Sequence, residues 1–177
     1  MKRRHALLTA LSCIVFLMPG TVRDGHAQND SDLSRATLKG LTGVEVTVEL
    51  QYNGPETEDE AGLTQTRLQT DTELTLREVG VPVVTEPSLT TGFLDLNVNC
   101  AVRPPIMMYG CSIDLNLHQL AILVRKTKNI AASATTWSVG EIYMVGGAYL
   151  STDTPNAVQG LVKEFANAYL EQNPRNP

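Results

Sequence analysis

Two cysteines, Cys100 and Cys111, are the residues whose type and spacing most clearly imply covalent chemistry. Each lies in a stretch where apolar and polar residues alternate, which predicts a half-buried strand. If the stretches pair as an antiparallel hairpin with Val98 facing Ile113, then Cys100 faces Cys111 and the apolar residues share one face. Opposed strand positions suit a disulfide in an oxidising compartment. We therefore predict a structural disulfide, with two buried free thiols as the alternative.

The sequence contains no convincing metal or cofactor motif. Cys100, Cys111 and His118 make at most three soft ligands, and their spacing is not that of a zinc motif. The acidic stretch 56–60 lacks the alternating ligands and terminal glutamate of an EF-hand, so a solvated loop is expected there. No glycine-rich phosphate loop and no nucleophile elbow occur. We expect neither a metal nor a cofactor.

His118 is the one histidine outside the first 27 residues, so an enzyme using histidine as general base would have to use it. Asp114 shares its strand face but lies about 13 Å away if the strand is extended, so spacing alone does not pair the two. A surface histidine is the preferred interpretation, and no catalytic residue is assigned. A small secreted hydrolase with a dispersed active site near His118 is the alternative.

An apolar stretch occupies the tip of the predicted hairpin. It consists of Ile106, Met107, Met108 and Tyr109. Methionine adapts well to binding surfaces, and exposed apolar residues often mark a partner site. Two interpretations stay open: the tip folds back over the core, or it contacts another envelope protein or a peptide.

The N-terminus has the three-part layout of a secretory signal peptide. Basic residues at positions 2–4 precede an apolar run over 6–18, and small residues, Gly25 and Ala27, lie just before a cut ahead of Gln28. The apolar run is shorter than the roughly 20 residues of a spanning helix, although a retained anchor is the alternative. The sequence therefore predicts export to the periplasm or the medium, with no transmembrane segment after cleavage.

Removing this leader makes the formal charge of the remaining chain more negative. The full chain of 177 residues is 42% hydrophobic with a formal charge of −5. The leader holds four of the 14 basic residues and one of the 19 acidic ones, so the rest of the chain has a formal charge of −8. This composition is globular rather than disordered, and the acidic balance argues against a nucleic-acid partner.

The remaining elements indicate one domain. We predict a signal peptide over 1–27, a loose lead-in over 28–40, a single domain over 41–173 and a tail over 174–177. Within the domain we expect strands near 44–51, 81–84, 92–102 and 111–124, one or two further strands over 130–145, and helices over 65–79 and from Thr154 to Asn173. Thr64 and Gly80 serve as caps of the first helix. A bulge near Gln119 would return Leu120 and Ile122 to the apolar face.

This order predicts an α+β fold: a mainly antiparallel sheet of about five strands with two helices packed on one face. The phrases over 62–64, 74–81, 134–137 and 165–170 resemble small secreted bacterial proteins that have no assigned activity. At the level of topology the order is also similar to envelope domains of the TolB N-terminal and CsgG type, although the sequence lacks a lipobox and a pore-forming segment. That resemblance implies a protein-interaction role.

We therefore expect a secreted or periplasmic, non-enzymatic domain with a protein-binding or structural role in the cell envelope. Its partner would be an envelope protein or a second copy of itself.

Overall fold

The computed structural model describes residues 29–55, 61–123 and 130–174. The predicted signal peptide, the acidic stretch 56–60, the basic turn 125–129 and the end of the predicted tail lie outside these residues. Within the described part of the chain, none of the helices has the length and apolar character needed to cross a membrane.

The chain forms one four-stranded sheet and three α-helices. In chain order the elements are α1 (Asp32–Ala36), β1 (Gly43–Asn53), α2 (Gln65–Val79), β2 (Thr91–Arg103), β3 (Met108–Leu123), β4 (Ile130–Gly146), a 3-10 turn (Gly147–Tyr149) and α3 (Leu150–Gln172). The strands lie in the order β1-β2-β3-β4. β1 and β2 are parallel, and the other two pairs are antiparallel. The predicted α+β class with a mainly antiparallel sheet is confirmed.

The sheet buries one face against α2 and α3. Alternate residues of the strands point into this core, among them Val46, Leu96, Leu115 and Val139. The helices add their own buried stripes, which include Leu68 and Leu76 of α2 and Val158, Val162 and Phe165 of α3. The opposite face of the sheet, here called the open face, carries the intervening side chains.

α2 begins and ends where its capping residues predict. The Thr64 hydroxyl accepts a hydrogen bond from the Arg67 N–H (3.3 Å), and Gly80 adopts the left-handed conformation with a φ of 87°. A residue with a side chain resists that conformation, so glycine is the residue that can stop the helix there.

The segment predicted as a fifth strand makes only one bridge to the sheet. The Val44 N–H donates to the Pro82 carbonyl (2.9 Å), and the Val84 N–H donates to the Val44 carbonyl (2.9 Å). Pro82 has no N–H to continue a ladder, and the pairing stops after this bridge. The described sheet therefore has four strands, with residues 130–146 forming the single strand β4.

The predicted loose lead-in contains ordered structure instead. α1 lies within it, and Leu38 is fully buried. The Trp137 indole N–H donates to the Asp30 carboxylate (2.6 Å), which also forms an ion pair with Arg35. A buried indole N–H needs an acceptor, and Asp30 supplies it.

α3 begins earlier than predicted, at Leu150 rather than after Thr154, which is fully buried inside the helix. Pro155 has no N–H to donate to the carbonyl four residues back, that of Ser151. The Arg67 guanidinium donates to this carbonyl instead (3.3 Å). A side chain from another helix thus replaces the missing bond and lets α3 extend past its proline.

The bulge lies on a different strand from the one predicted. The register of β3 and β4 shifts between Leu117 and His118. Thr136 of β4 is the extra residue, which faces no residue of β3 in the register. Alternation along β3 continues, so Leu120 and Ile122 stay on the open face and are more than half exposed. The expectation that they return to the core is wrong.

Candidate functional site

The β2–β3 hairpin has the predicted register. Val98 faces Ile113 and Cys100 faces Cys111. The two cysteines form a disulfide with an S–S distance of 2.03 Å, and both are buried on the inner face of the sheet. The bond joins the two strands just before the hairpin turns.

The hairpin tip, defined here as residues 104–109, divides between core and solvent. Tyr109 is 2% exposed and belongs to the core, and Met108 is half-buried at the start of β3. Ile106 is 62% exposed and Met107 is 40% exposed. The fold-back interpretation therefore describes Tyr109, while Ile106 and Met107 remain available on the surface. Their role as partner contacts stays a prediction.

Three further contacts hold the tip in one place. The rings of Tyr109 and Tyr52 stack with centroids 5.7 Å apart, and their hydroxyl oxygens lie 2.9 Å from each other. The Gly147 N–H donates to the Met107 carbonyl (3.0 Å), which ties the tip to the turn before α3. Met107 itself has a φ of 49°, a left-handed conformation that its side chain disfavours. The surroundings of the tip fix this conformation.

Two concave surfaces adjoin this end of the molecule. A cavity of about 330 Å³ lies beneath the tip and is lined by Tyr52, Ala61, Met107, Tyr109, Gly147, Ala148 and Leu150. A wider depression of about 850 Å³ lies on the open face beside the disulfide strands. Small or polar residues such as Ala101, Gly110 and Ser112 line it, together with Ile142.

The middle of the open face is polar and acidic. Glu49, Asn97 and Asp114 occupy facing positions on β1, β2 and β3. Asp95 accepts hydrogen bonds from the Thr47 hydroxyl (3.0 Å) and the Asn97 amide (2.7 Å). The first bond links β1 to β2, and the second links two neighbouring positions on the same face of β2.

Both ends of the open face carry exposed apolar side chains. Phe93, Leu120 and Ile122 lie at one end, and Ile142 and Met144 lie at the other, where they are 66% and 59% exposed. Sequence reasoning missed the exposure of Ile142 and Met144. A signal was present, because residues 142–145 are apolar at consecutive positions, and a strand with both faces apolar often has both faces covered.

His118 lies on the open face, away from both concave surfaces described above. Its Nδ1 is 3.2 Å from the Thr135 hydroxyl, a neighbour on β4. Asp114, the carboxylate considered from sequence, faces Asn97 and Gly140 instead of the imidazole. The structure therefore does not bring the predicted histidine and Asp114 together.

The groups with shifted pKa values lie elsewhere. Hydrogen bonding to Arg35 lowers the pKa of Asp30, and hydrogen bonding to Gln69 lowers the pKa of Glu73 on α2. Burial raises the pKa of Tyr143 to about 12, so this phenol stays protonated at neutral pH. Across residues 29–55, 61–123 and 130–174, no three His, Cys, Asp or Glu side chains gather as a metal site.

Comparison with known proteins gives similarity to solved structures alone. No protein-family model matches the sequence, and no curated protein matches it. A PelC variant dodecamer from Paraburkholderia phytofirmans is 14% identical with a TM-score of 0.47, covering 78% of this chain and 95% of that chain. A second PelC dodecamer from the same organism is 13% identical with a TM-score of 0.43, covering 87% and 99%.

A minor lipoprotein from Acinetobacter baumannii is 10% identical with a TM-score of 0.34, covering 76% of this chain and 95% of that chain. Similarities at these TM-scores assign no function. The resemblance to the TolB and CsgG type is not shown by them and stays a prediction.

Proposed function

We propose that this chain is a secreted or periplasmic, non-enzymatic domain that binds another protein in the cell envelope through the tip of its β2–β3 hairpin. The observation that carries the proposal is an apolar tip held rigid while two of its side chains face solvent. Ile106 and Met107 are exposed, and the disulfide, the tyrosine pair and the Gly147–Met107 hydrogen bond fix the backbone beneath them.

A rigid tip favours binding because association costs conformational entropy. A loop that is already held in its bound shape has less of this entropy to lose. An unbranched methionine beside a branched isoleucine can fill an irregular apolar pocket on a partner. The left-handed conformation of Met107 also supports a binding role, since strained backbone clusters at functional sites.

The location in the proposal is supported by two independent features. The first 27 residues have the layout of a signal peptide. The Cys100–Cys111 disulfide fits an oxidising compartment, because thiols in the cytosol are kept reduced.

Replacing the two exposed residues tests the proposal. We expect the double variant Ile106→Ser with Met107→Ser to reduce capture of its partner from a chemically crosslinked envelope fraction by about tenfold or more, equivalent to about 1.4 kcal/mol. Crosslinked products would be identified by mass spectrometry and compared with those of the unsubstituted protein.

The matched control is Leu89→Ser, which removes an 86% exposed leucine from the connection between α2 and β2. It should leave capture unchanged. Equal capture by the tip variant and the unsubstituted protein, with an unchanged circular dichroism spectrum, would contradict a contact role for the tip.

A further inference from the structure

The methionines of the described chain lie together at the hairpin-tip end of the molecule. The part of the chain that the structure describes contains three of them, Met107, Met108 and Met144. Met107 and Met108 belong to the tip itself, and Met144 of β4 lies opposite Gly110, the residue that follows the tip. The Met144 sulfur is 3.4 Å from the position that a Cβ on Gly110 would take. One end of the molecule therefore carries every described thioether.

These thioethers are accessible, and the core does not depend on them. Met144 is 59% exposed, Met107 is 40% exposed and Met108 is half-buried. The buried apolar core of the described residues consists of Leu, Val, Ile, Ala, Cys and aromatic side chains, with no methionine among them. An oxygen atom added to one of these sulfurs would therefore change the surface and leave the packing of the core intact.

The thioethers are also the sulfur groups that an oxidant can still convert. Both described cysteines are joined in the buried Cys100–Cys111 disulfide, so neither is a free thiol. The single tryptophan, Trp137, is another side chain that oxidants attack, and it is fully buried. A two-electron oxidant such as hydrogen peroxide, which converts methionine to its sulfoxide, thus meets the methionines first.

We propose that Met107 is a modification site, where oxidation of the thioether to the sulfoxide by a peroxide weakens binding at the tip. This inference rests on the proposed function and adds a regulatory step to the same contact. A lone pair of the Met107 sulfur attacks one peroxide oxygen, the O–O bond breaks, and a proton shift releases water. The sulfur loses two electrons, and the peroxide gains them. Methionine sulfoxide reductases reverse the change.

The sulfoxide weakens an apolar contact because it adds a polar S=O group to the side chain. A partner pocket that accepts Ile106 and the Met107 thioether would have to bury this oxygen, and a buried polar group without a hydrogen bond is unfavourable. The tip holds the backbone from which the side chain projects. The Gly147 N–H donates to the Met107 carbonyl (3.0 Å), and the φ of Met107 is 49°. The altered side chain therefore stays within the contact.

Limited peroxide treatment of the full exported chain tests the inference. Peptide mass spectrometry should find the gain of one oxygen at Met107 and Met144 before Met108, whose side chain is half-buried. Capture of the partner from a crosslinked envelope fraction should fall about tenfold once Met107 is oxidised, equivalent to about 1.4 kcal/mol. The circular dichroism spectrum should not change, because the described core contains no methionine.

Two leucine variants assign the effect to one sulfur. Leucine has nearly the volume of methionine and carries no thioether. Each protein is compared with its own untreated sample, so any effect of the leucine itself on capture does not enter the comparison. Peroxide should leave capture by Met107→Leu unchanged. It should still reduce capture by Met144→Leu about tenfold, because Met144 lies on β4 outside the tip.

Four results would overturn the inference and leave the proposed function standing. They are no gain of oxygen at Met107, oxidation there with capture unchanged, an equal loss of capture by Met107→Leu, and a loss of capture that comes with an altered circular dichroism spectrum. Absence of capture by the untreated, unsubstituted protein would instead overturn the proposed function, and the inference with it.

Discussion

Asp30 links the N-terminal stretch to the sheet. Its carboxylate accepts from the Trp137 indole and pairs with Arg35, which also contacts Glu171 of α3. Trp137 is fully buried. Sequence analysis did not predict Asp30 as the acceptor of its indole N–H, because the two residues are 107 positions apart and no local pattern joins them.

Removing this carboxylate should destabilise the domain in a pH-dependent way. Hydrogen bonding to Arg35 lowers the pKa of Asp30 below its ordinary value of 3.8. The stabilisation is therefore complete above the unfolded pKa and is lost as pH falls through the folded pKa. We expect Asp30→Asn to reduce the free energy of unfolding at neutral pH by about 1–3 kcal/mol, measured by urea unfolding.

The same variant should also lose less stability than the unsubstituted protein between pH 5 and pH 2, since it has no carboxylate to protonate at this position. Asp32→Asn is the matched control, because Asp32 is exposed in the first turn of α1. Equal unfolding free energies and equal acid sensitivity for the two variants would show that the Asp30 contacts contribute nothing.

At the scale of elements, the sequence predicted those helix ends and strand pairings that depend on residues close together in the chain. The bounds and caps of α2 follow from Thr64 and Gly80, and the register of the β2–β3 hairpin follows from alternation. The start of α3 does not follow from the local sequence, because Arg67 of α2 donates to the Ser151 carbonyl in place of the N–H that Pro155 lacks. The position of the bulge was equally hidden, since Thr136 belongs to a strand whose pairing the β3 sequence does not specify.

The disulfide is the element-scale contact whose removal is simplest to measure. A crosslink that closes a loop of about ten residues restricts the unfolded chain, and the chain-entropy model gives about 3 kcal/mol for such loops. We expect reduction to lower the free energy of unfolding by this amount, measured by urea unfolding with and without reductant.

A variant with Cys100→Ala and Cys111→Ala serves as the control, since reductant should not change its stability. If reductant left the unsubstituted protein as stable as before, the bond would not contribute to folding.

At the scale of the whole molecule, the described helices α2 and α3 both contact one face of the sheet and leave the other open. Alternation predicted which strand residues point to the core, so the existence of an open face was predictable. The division of that face into a polar middle and ends with exposed apolar side chains was not predictable from the sequence. It depends on how far each strand extends past its neighbours, as Leu120 and Ile122 show beyond the end of β2.

This division places the exposed apolar surface at the two ends of the molecule, with the hairpin tip beside one of them. The proposed function depends on that tip making a direct contact with another protein. A photoreactive benzophenone side chain at a single position reports such a contact without requiring the partner to be known.

The most direct measurement is photo-crosslinking from position 106 in cells that export the full chain. We expect a specific crosslinked adduct in the periplasmic fraction or the medium when the probe replaces Ile106, and none when it replaces the exposed Leu89. The absence of an adduct from position 106, or the same adducts from both positions, would contradict the claim that this tip binds a protein partner.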